Sequence, residues 1–277
     1  MSTRFAAVLA AVLACPFIGV AAVAAAPGSA RPPASPLTDH FALRSSYFRP
    51  SLSTDGRFDG GSSGLVGTPF IGEDDFGLDD VGNLGRMELS LRMRERHLLR
   101  VDYLDLSRFG ESTLTRPLNF RNQVFDAGDY VASTLDLWLM SFNYSFALLR
   151  RENFELGLGA GLLLLNADAR SEIRARGIRE TGTGDFMLPT LGVDASWAFH
   201  RRWSISGYAR YLGGSTSKAD GSFTNLHLDL QYRWKRNIAL GLGYSFLELD
   251  AELSEANLPG KLAIEAAGPE LFFRVSF

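Results

Sequence analysis

Chemistry in this chain is carried by charge rather than by thiols. In 225–234, Leu226, Leu228, Leu230, Tyr232 and Trp234 alternate with Asn225, His227, Asp229, Gln231 and Arg233. Strict alternation is the mark of a strand with two unlike faces. It puts His227 and Asp229 on one polar face, the spacing of an acid–base pair that would still need a nucleophile or an activated water within hydrogen-bond reach. Ser204 and Ser206 on the preceding strand are the candidates. His40, His97 and His200 fall at a strand start or in short turns. The same alternation, applied along the chain, gives a larger polar set: Arg44, Arg86, Glu88, Arg92, Arg94, Arg100, Asp102, Asp136, Glu155, Asp194, Arg210, His227, Asp229, Arg233 and Arg274. Acids and bases are mixed in it. Enclosed together they must pair, because a buried charge needs compensation; a continuous wet path between them would instead make an arginine-lined channel for small anions.

Other chemistries are weaker. Between 51 and 83 lie Asp55, Asp59, Glu73, Asp74, Asp75, Asp79 and Asp80 among many glycines. Oxygen-rich loops can bind Ca²⁺, yet the ordered spacing of an EF-hand is missing, so a solvated acidic loop is expected, with no metal and no cofactor. The one cysteine, Cys15, lies in the N-terminal leader, which removes disulfides and Cys-based catalysis from the rest of the chain. Net charge is −3, so no nucleic-acid partner is expected. Lysines occur only at 218, 235 and 261; the remaining positive side chains are arginines, suited to bidentate pairing with carboxylates.

The elements that must hold these residues follow from the same periodicity. Residues 1–24 read as a signal peptide, with Arg4, an apolar run and a cleavage site at Ala22-Val23-Ala24. A disordered lead-in at 25–37 and a single β domain at 38–277 follow. Beyond the leader no apolar stretch approaches the roughly 20 residues of a spanning helix. Ten strands are expected, near 39–50, 84–94, 98–109, 132–149, 153–169, 185–199, 203–214, 223–234, 237–250 and 263–277, with eight as the alternative. Short basic turns alternate with long Gly- and Asp-rich connections, and Trp197, Phe199, Trp203 and Trp234 gather beside the short turns. Apolar rows such as Met87, Leu89, Leu91, Met93 and Ile238, Leu240, Leu242, Tyr244, Phe246 would then face lipid. These features predict an all-β, closed, antiparallel up-and-down transmembrane barrel.

The last strand alternates Leu271, Phe273, Val275 and Phe277 against Glu270, Arg274 and Ser276, with Phe272 as an apolar exception on the inner face. This ending resembles the C-terminal assembly signal of outer-membrane barrels, which implies the barrel-assembly machinery as a partner during insertion. The stretches Arg96–Tyr103, Phe125–Asp129, Phe154–Gly157 and Gly268–Phe272 resemble an uncharacterised family of proteobacterial outer-membrane barrel proteins, broadly OmpA-like. That resemblance implies a location in the outer membrane of a Gram-negative bacterium, among lipid and lipopolysaccharide, and carries no activity with it. The expectation is a non-enzymatic structural or surface-interacting protein with a charge-filled lumen. The alternative is a narrow pore for small solutes, and the third reading a hydrolase.

Overall fold

A computed structural model describes residues 36–277 apart from 61–63, 174–175, 216–218 and 254–258. The expected signal peptide lies outside the described residues. Of the lead-in only the end is described, and it is tied down: Leu37 is buried, and its carbonyl accepts a hydrogen bond of 2.9 Å from Arg150.

Ten long strands form one closed antiparallel barrel: β1 (Phe41–Phe48), β4 (Leu84–Met93), β5 (His97–Thr113), β8 (Tyr130–Arg150), β9 (Phe154–Ile173), β10 (Ile178–Trp197), β11 (Trp203–Ser215), β12 (Ala219–Lys235), β13 (Ile238–Leu253) and β14 (Gly260–Ser276). Each pairs with its neighbours in sequence, and β1 returns to β14 from Ala42↔Ser276 to Phe48↔Glu270, which closes the ring. The expected ten strands therefore hold. Several run past their expected ends toward the long loops. Strand β8 has 21 residues and β9 has 20, about twice what a bilayer crossing requires.

The first strand does not stop where its sequence breaks. After Arg49-Pro50 it resumes as β2 (Ser51–Phe58), still paired with β14 from Ala267↔Ser51 to Gly260↔Phe58. Its other edge leaves β4 and takes the two-residue β3 (Phe70–Ile71). A short helix, α1 (Gly72–Phe76), follows and ends on Gly77 in the left-handed conformation (φ 65°). A Cβ at Gly77 would lie 2.5 Å from the Glu111 carbonyl oxygen, so glycine is required on both counts. The hairpin β6 (Leu118–Phe120) and β7 (Gln123–Phe125) folds over the same end. Its Leu118, Phe120 and Phe125 are buried.

The longest strands change polarity partway along. Toward the short turns, β8 turns Ser145 and Asn143 inward and Phe146, Tyr144 and Phe142 outward. Toward the long loops it turns Leu139, Leu137 and Leu135 inward, with Asp136 and Thr134 outside. Strand β12 does the same, from inward Arg233, Asp229 and His227 to inward Phe223, and β13 from Ser245 to Leu249. The alternation itself is unbroken, because successive side chains always point to opposite faces. What switches is which face is apolar. Alternation thus sets one end as a lipid-type barrel and the other as a barrel with an oily interior.

Candidate functional site

The interior of the short-turn half is a lattice of arginines and carboxylates supplied by nearly every strand. Arg44 reaches Asp229 at 2.8 Å and Glu270 at 2.7 Å. Arg86 binds Asp102 at 2.6 Å, the Ser245 hydroxyl at 3.0 Å and the Tyr208 hydroxyl. Arg100 and Arg210 converge on Asp194, each at 2.6 Å, and Arg100 also pairs with Glu88 at 3.3 Å. Arg92 grips both oxygens of Glu155, at 2.9 and 3.0 Å. Arg233 pairs with Asp39 at 2.6 Å, which Arg274 approaches to 3.4 Å. The guanidinium fork suits such sharing, since its donors lie in one plane and satisfy two acceptors at once.

Small residues make this packing fit. At Gly192 a Cβ would sit 2.5 Å from the Arg210 side chain, and at Gly241 it would sit 2.2 Å from the Phe272 ring. Phe272, the apolar residue on the inner face of the last strand, has a place there: the Arg44 guanidinium carbon lies 3.7 Å from its ring centre, a cation–π contact.

Of the polar set expected from sequence, Arg44, Arg86, Glu88, Arg92, Arg100, Asp102, Glu155, Asp194, Arg210, His227, Asp229, Arg233 and Arg274 come together in this layer. Two do not. Arg94 stands exposed in the turn after β4, with φ 58°, because β4 ends one residue before it. Asp136 faces outward, where it accepts a hydrogen bond from Ser107, because at its height the inner face of β8 is leucine. Sequence reasoning missed Asp39 at the barrel's entry and Ser245, Tyr208 and Asn143. Alternation along β13 signals that Ser245 points inward, but nothing in the sequence places it against Arg86.

His227 does find a serine, though not the expected one. Its Nδ1 lies 2.8 Å from Ser245 Oγ and its Nε2 lies 3.1 Å from Asp229 Oδ2. An ionised carboxylate only accepts, so Nε2 donates to Asp229. The Ser245 hydroxyl in turn donates to Glu270 at 3.0 Å and accepts from Arg86. Ser204 and Ser206 stand elsewhere along β11. Ser245, His227 and Asp229 are arranged in the sequence of a proton relay, but the one hydroxyl proton of Ser245 goes to Glu270 and not to His227; His227 also stacks on Tyr208 with ring centres 5.1 Å apart, and Ser245 is 2% exposed. A substrate carbon has no approach to that oxygen. Cavities between these groups measure about 10 and 20 Å³, against the ~10–15 Å³ one water needs.

The long-loop half holds an apolar chamber. Phe58, Phe70, Phe76 and Phe120 meet at centroid distances of 4.9–5.8 Å, mostly edge to face. Leu104, Leu106, Leu135, Leu137, Leu163, Leu249 and Ile264 surround them. An ion pair enters it: Arg108, 2% exposed, binds Glu73 at 2.5 Å and the Thr54 hydroxyl. Glu73 belongs to the loop expected to be solvated, and that reading is corrected here. Asp75 is likewise held, by Arg116 at 2.9 Å. The loop carries Phe70, Phe76 and Leu78, whose burial draws it into the barrel mouth.

No family model matches the chain, and no curated protein matches it. Solved outer-membrane barrels do. The outer membrane protease OmpT from Escherichia coli superposes with a TM-score of 0.54 at 11% identity, covering 85% of this chain and 97% of that one. The transport unit of the Escherichia coli autotransporter AIDA-I gives 0.43 at 10% identity, over 86% and 90% of the two chains. The attachment invasion locus protein Ail of Yersinia pestis gives 0.39 at 10%, over 84% and 99%. At these values only the first bears on the argument, and it bears on fold alone. The chain has the fold of a Gram-negative outer-membrane β-barrel.

Proposed function

We propose that this is an integral outer-membrane protein with a non-enzymatic role, structural or in surface interaction, and that its lumen is closed to solutes. The carrying observation is that the barrel is blocked at two levels, beneath a mouth cavity of about 810 Å³ lined by Phe70, Gly221, Ala251 and Leu262. A paired arginine–carboxylate lattice occupies one half, and an aromatic core under inward-folded loops occupies the other. A selective pore needs a continuous wet path, and the small cavities in the lattice argue against one. The outer face of the first half supports a bilayer location: Leu158, Leu228, Leu242 and Leu271 are 51–64% exposed there. Trp197, Trp203 and Trp234 rim it near the short turns, as an interfacial girdle would. Lipid and lipopolysaccharide are then its constant partners. Leu271, Phe273, Val275 and Phe277 lie along that lipid-type face, which agrees with a role as the assembly signal.

Planar-bilayer recording of the folded protein tests this reading. No discrete openings are expected across a range of voltages; reproducible single-channel steps would overturn it. The location is tested separately by membrane fractionation and by a heat-dependent shift in gel migration, both expected to be positive.

A further inference from the structure

The barrel wall has a gap. Strands β10 and β11 pair from Trp197↔Ile205 to Leu191↔Tyr211, and there the ladder ends. Beyond it β10 runs on to Ile178 paired only with β9, and β11 runs on to Ser215 paired only with β12. Among the described residues, the edge of β10 over 178–190 therefore has no strand beside it. Pro189 lies two residues beyond the last pair, while its pairing to Leu162 on the other side is unbroken. A proline lacks the donor a central strand needs, so it belongs on just such an edge.

The surroundings of the gap identify what could use it. Met187, Leu191 and Tyr211 flank its base on the outside and are 59–70% exposed, so the base lies within the apolar outer band. Inside, Leu188 and Leu212 pack against the apolar chamber. Six residues further along β10 toward the loops, on the inner side of the same free edge, a cavity of about 50 Å³ lies between Phe76, Leu135, Ala169 and Gly182. One water needs ~10–15 Å³, so this holds roughly four heavy atoms. Hydrocarbon outside, hydrocarbon lining and a short blind end match an alkyl chain. The charge lattice of the other half prevents it from passing through.

We propose that the gap between β10 and β11 is a lateral port, through which the methyl end of a lipid acyl chain enters the apolar chamber. The proposal rests on the bilayer location given above. It is tested in vesicles of phosphatidylcholine whose acyl chains end in a photoactivatable diazirine, with the full folded protein and mapping of the labelled residues. Label is expected on inward Leu188, Leu135 and Ala169 as well as on outward Met187 and Leu191. Ala169→Trp, which fills the cavity, is expected to abolish label at Leu135 while sparing Met187. Ala169→Leu provides a milder variant, and the heat-dependent gel shift reports the folding of each. Label confined to Met187 and Leu191 overturns the port. A dimer formed along the free edge of β10, with no inward label, overturns it in favour of a second copy of this chain. Absence of label even at Met187 and Leu191 refutes the bilayer location, and the port with it.

Discussion

Asp102 and Asp136 are aspartates on neighbouring strands of one barrel, and they face opposite ways. Asp102 points inward to Arg86, in the half where leucines cover the outside. Asp136 points outward beside Ser107, in the half where leucines fill the inside. The backbone treats both alike; the medium around each half decides. Against hydrocarbon, apolar residues belong outside and the interior must neutralise its own charges. Against water the order reverses, and the interior gains from burying carbon at about 25 cal/mol per Å². The barrel thus has the surface of a membrane protein at one end and of a water-soluble β-barrel at the other.

Substitutions that treat the two halves as equivalent should break the contrast. The largest effect is expected from Glu270→Leu, which leaves Arg44 and Arg86 without a shared partner. Removing one member of a buried pair costs about 3–5 kcal/mol, read as a lower urea midpoint for unfolding from lipid vesicles. Replacing both Arg92 and Glu155 by Met and Leu should cost less, since both buried charges are replaced by carbon and the partly exposed Arg150, which also pairs with Glu155 at 3.2 Å, keeps the Leu37 carbonyl. In the other half Phe120→Ala should cost about 3 kcal/mol by leaving a hole in the aromatic cluster. It should also expose residues 118–125 to protease, which Glu270→Leu should not. On the outer surface, Leu242→Arg should cost about 2–4 kcal/mol if that position lies near the bilayer midplane. Asp250→Arg on the same strand, eight residues nearer the loops, should change stability by less than about 0.5 kcal/mol. Equal costs at the two sites would mean that the change of face does not mark the edge of the membrane.

Much of this was legible in the chain. Strands such as β12 and β13 carry a strict period of two over ten or more residues, and the short basic turns between them leave little freedom in topology. Most charged members of the layer follow from parity, Asp39 excepted. Arg94 departs from parity because β4 ends just before it, and Asp136 because the apolar face reverses along the barrel, so that Leu135, Leu137 and Leu139 claim the inside at its height. Extending β5 with the opposite polarity, from Arg100 and Asp102 through Leu104 and Leu106, would have reached Arg108. Strand β2 was hidden because Leu52, Thr54, Gly56 and Phe58 alternate only weakly among glycines and acids. Contacts such as His227 with Ser245 depend on the stagger between strands, which no single strand records.

The seam between β1 and β14 has a kinetic consequence. Arg44 finds Asp229 and Glu270 only when residues about 185 and 226 positions away arrive, and the same event joins Ala42 to Ser276. Contacts so distant in sequence carry the full entropy of loop closure and form late. Until then each end of the sheet is an open edge, and Arg44 on one of them lacks both carboxylates that it hydrogen-bonds in the closed ring. Ring closure and charge neutralisation are therefore a single step, and the slowest phase of folding should be the one in which the arginine is paired.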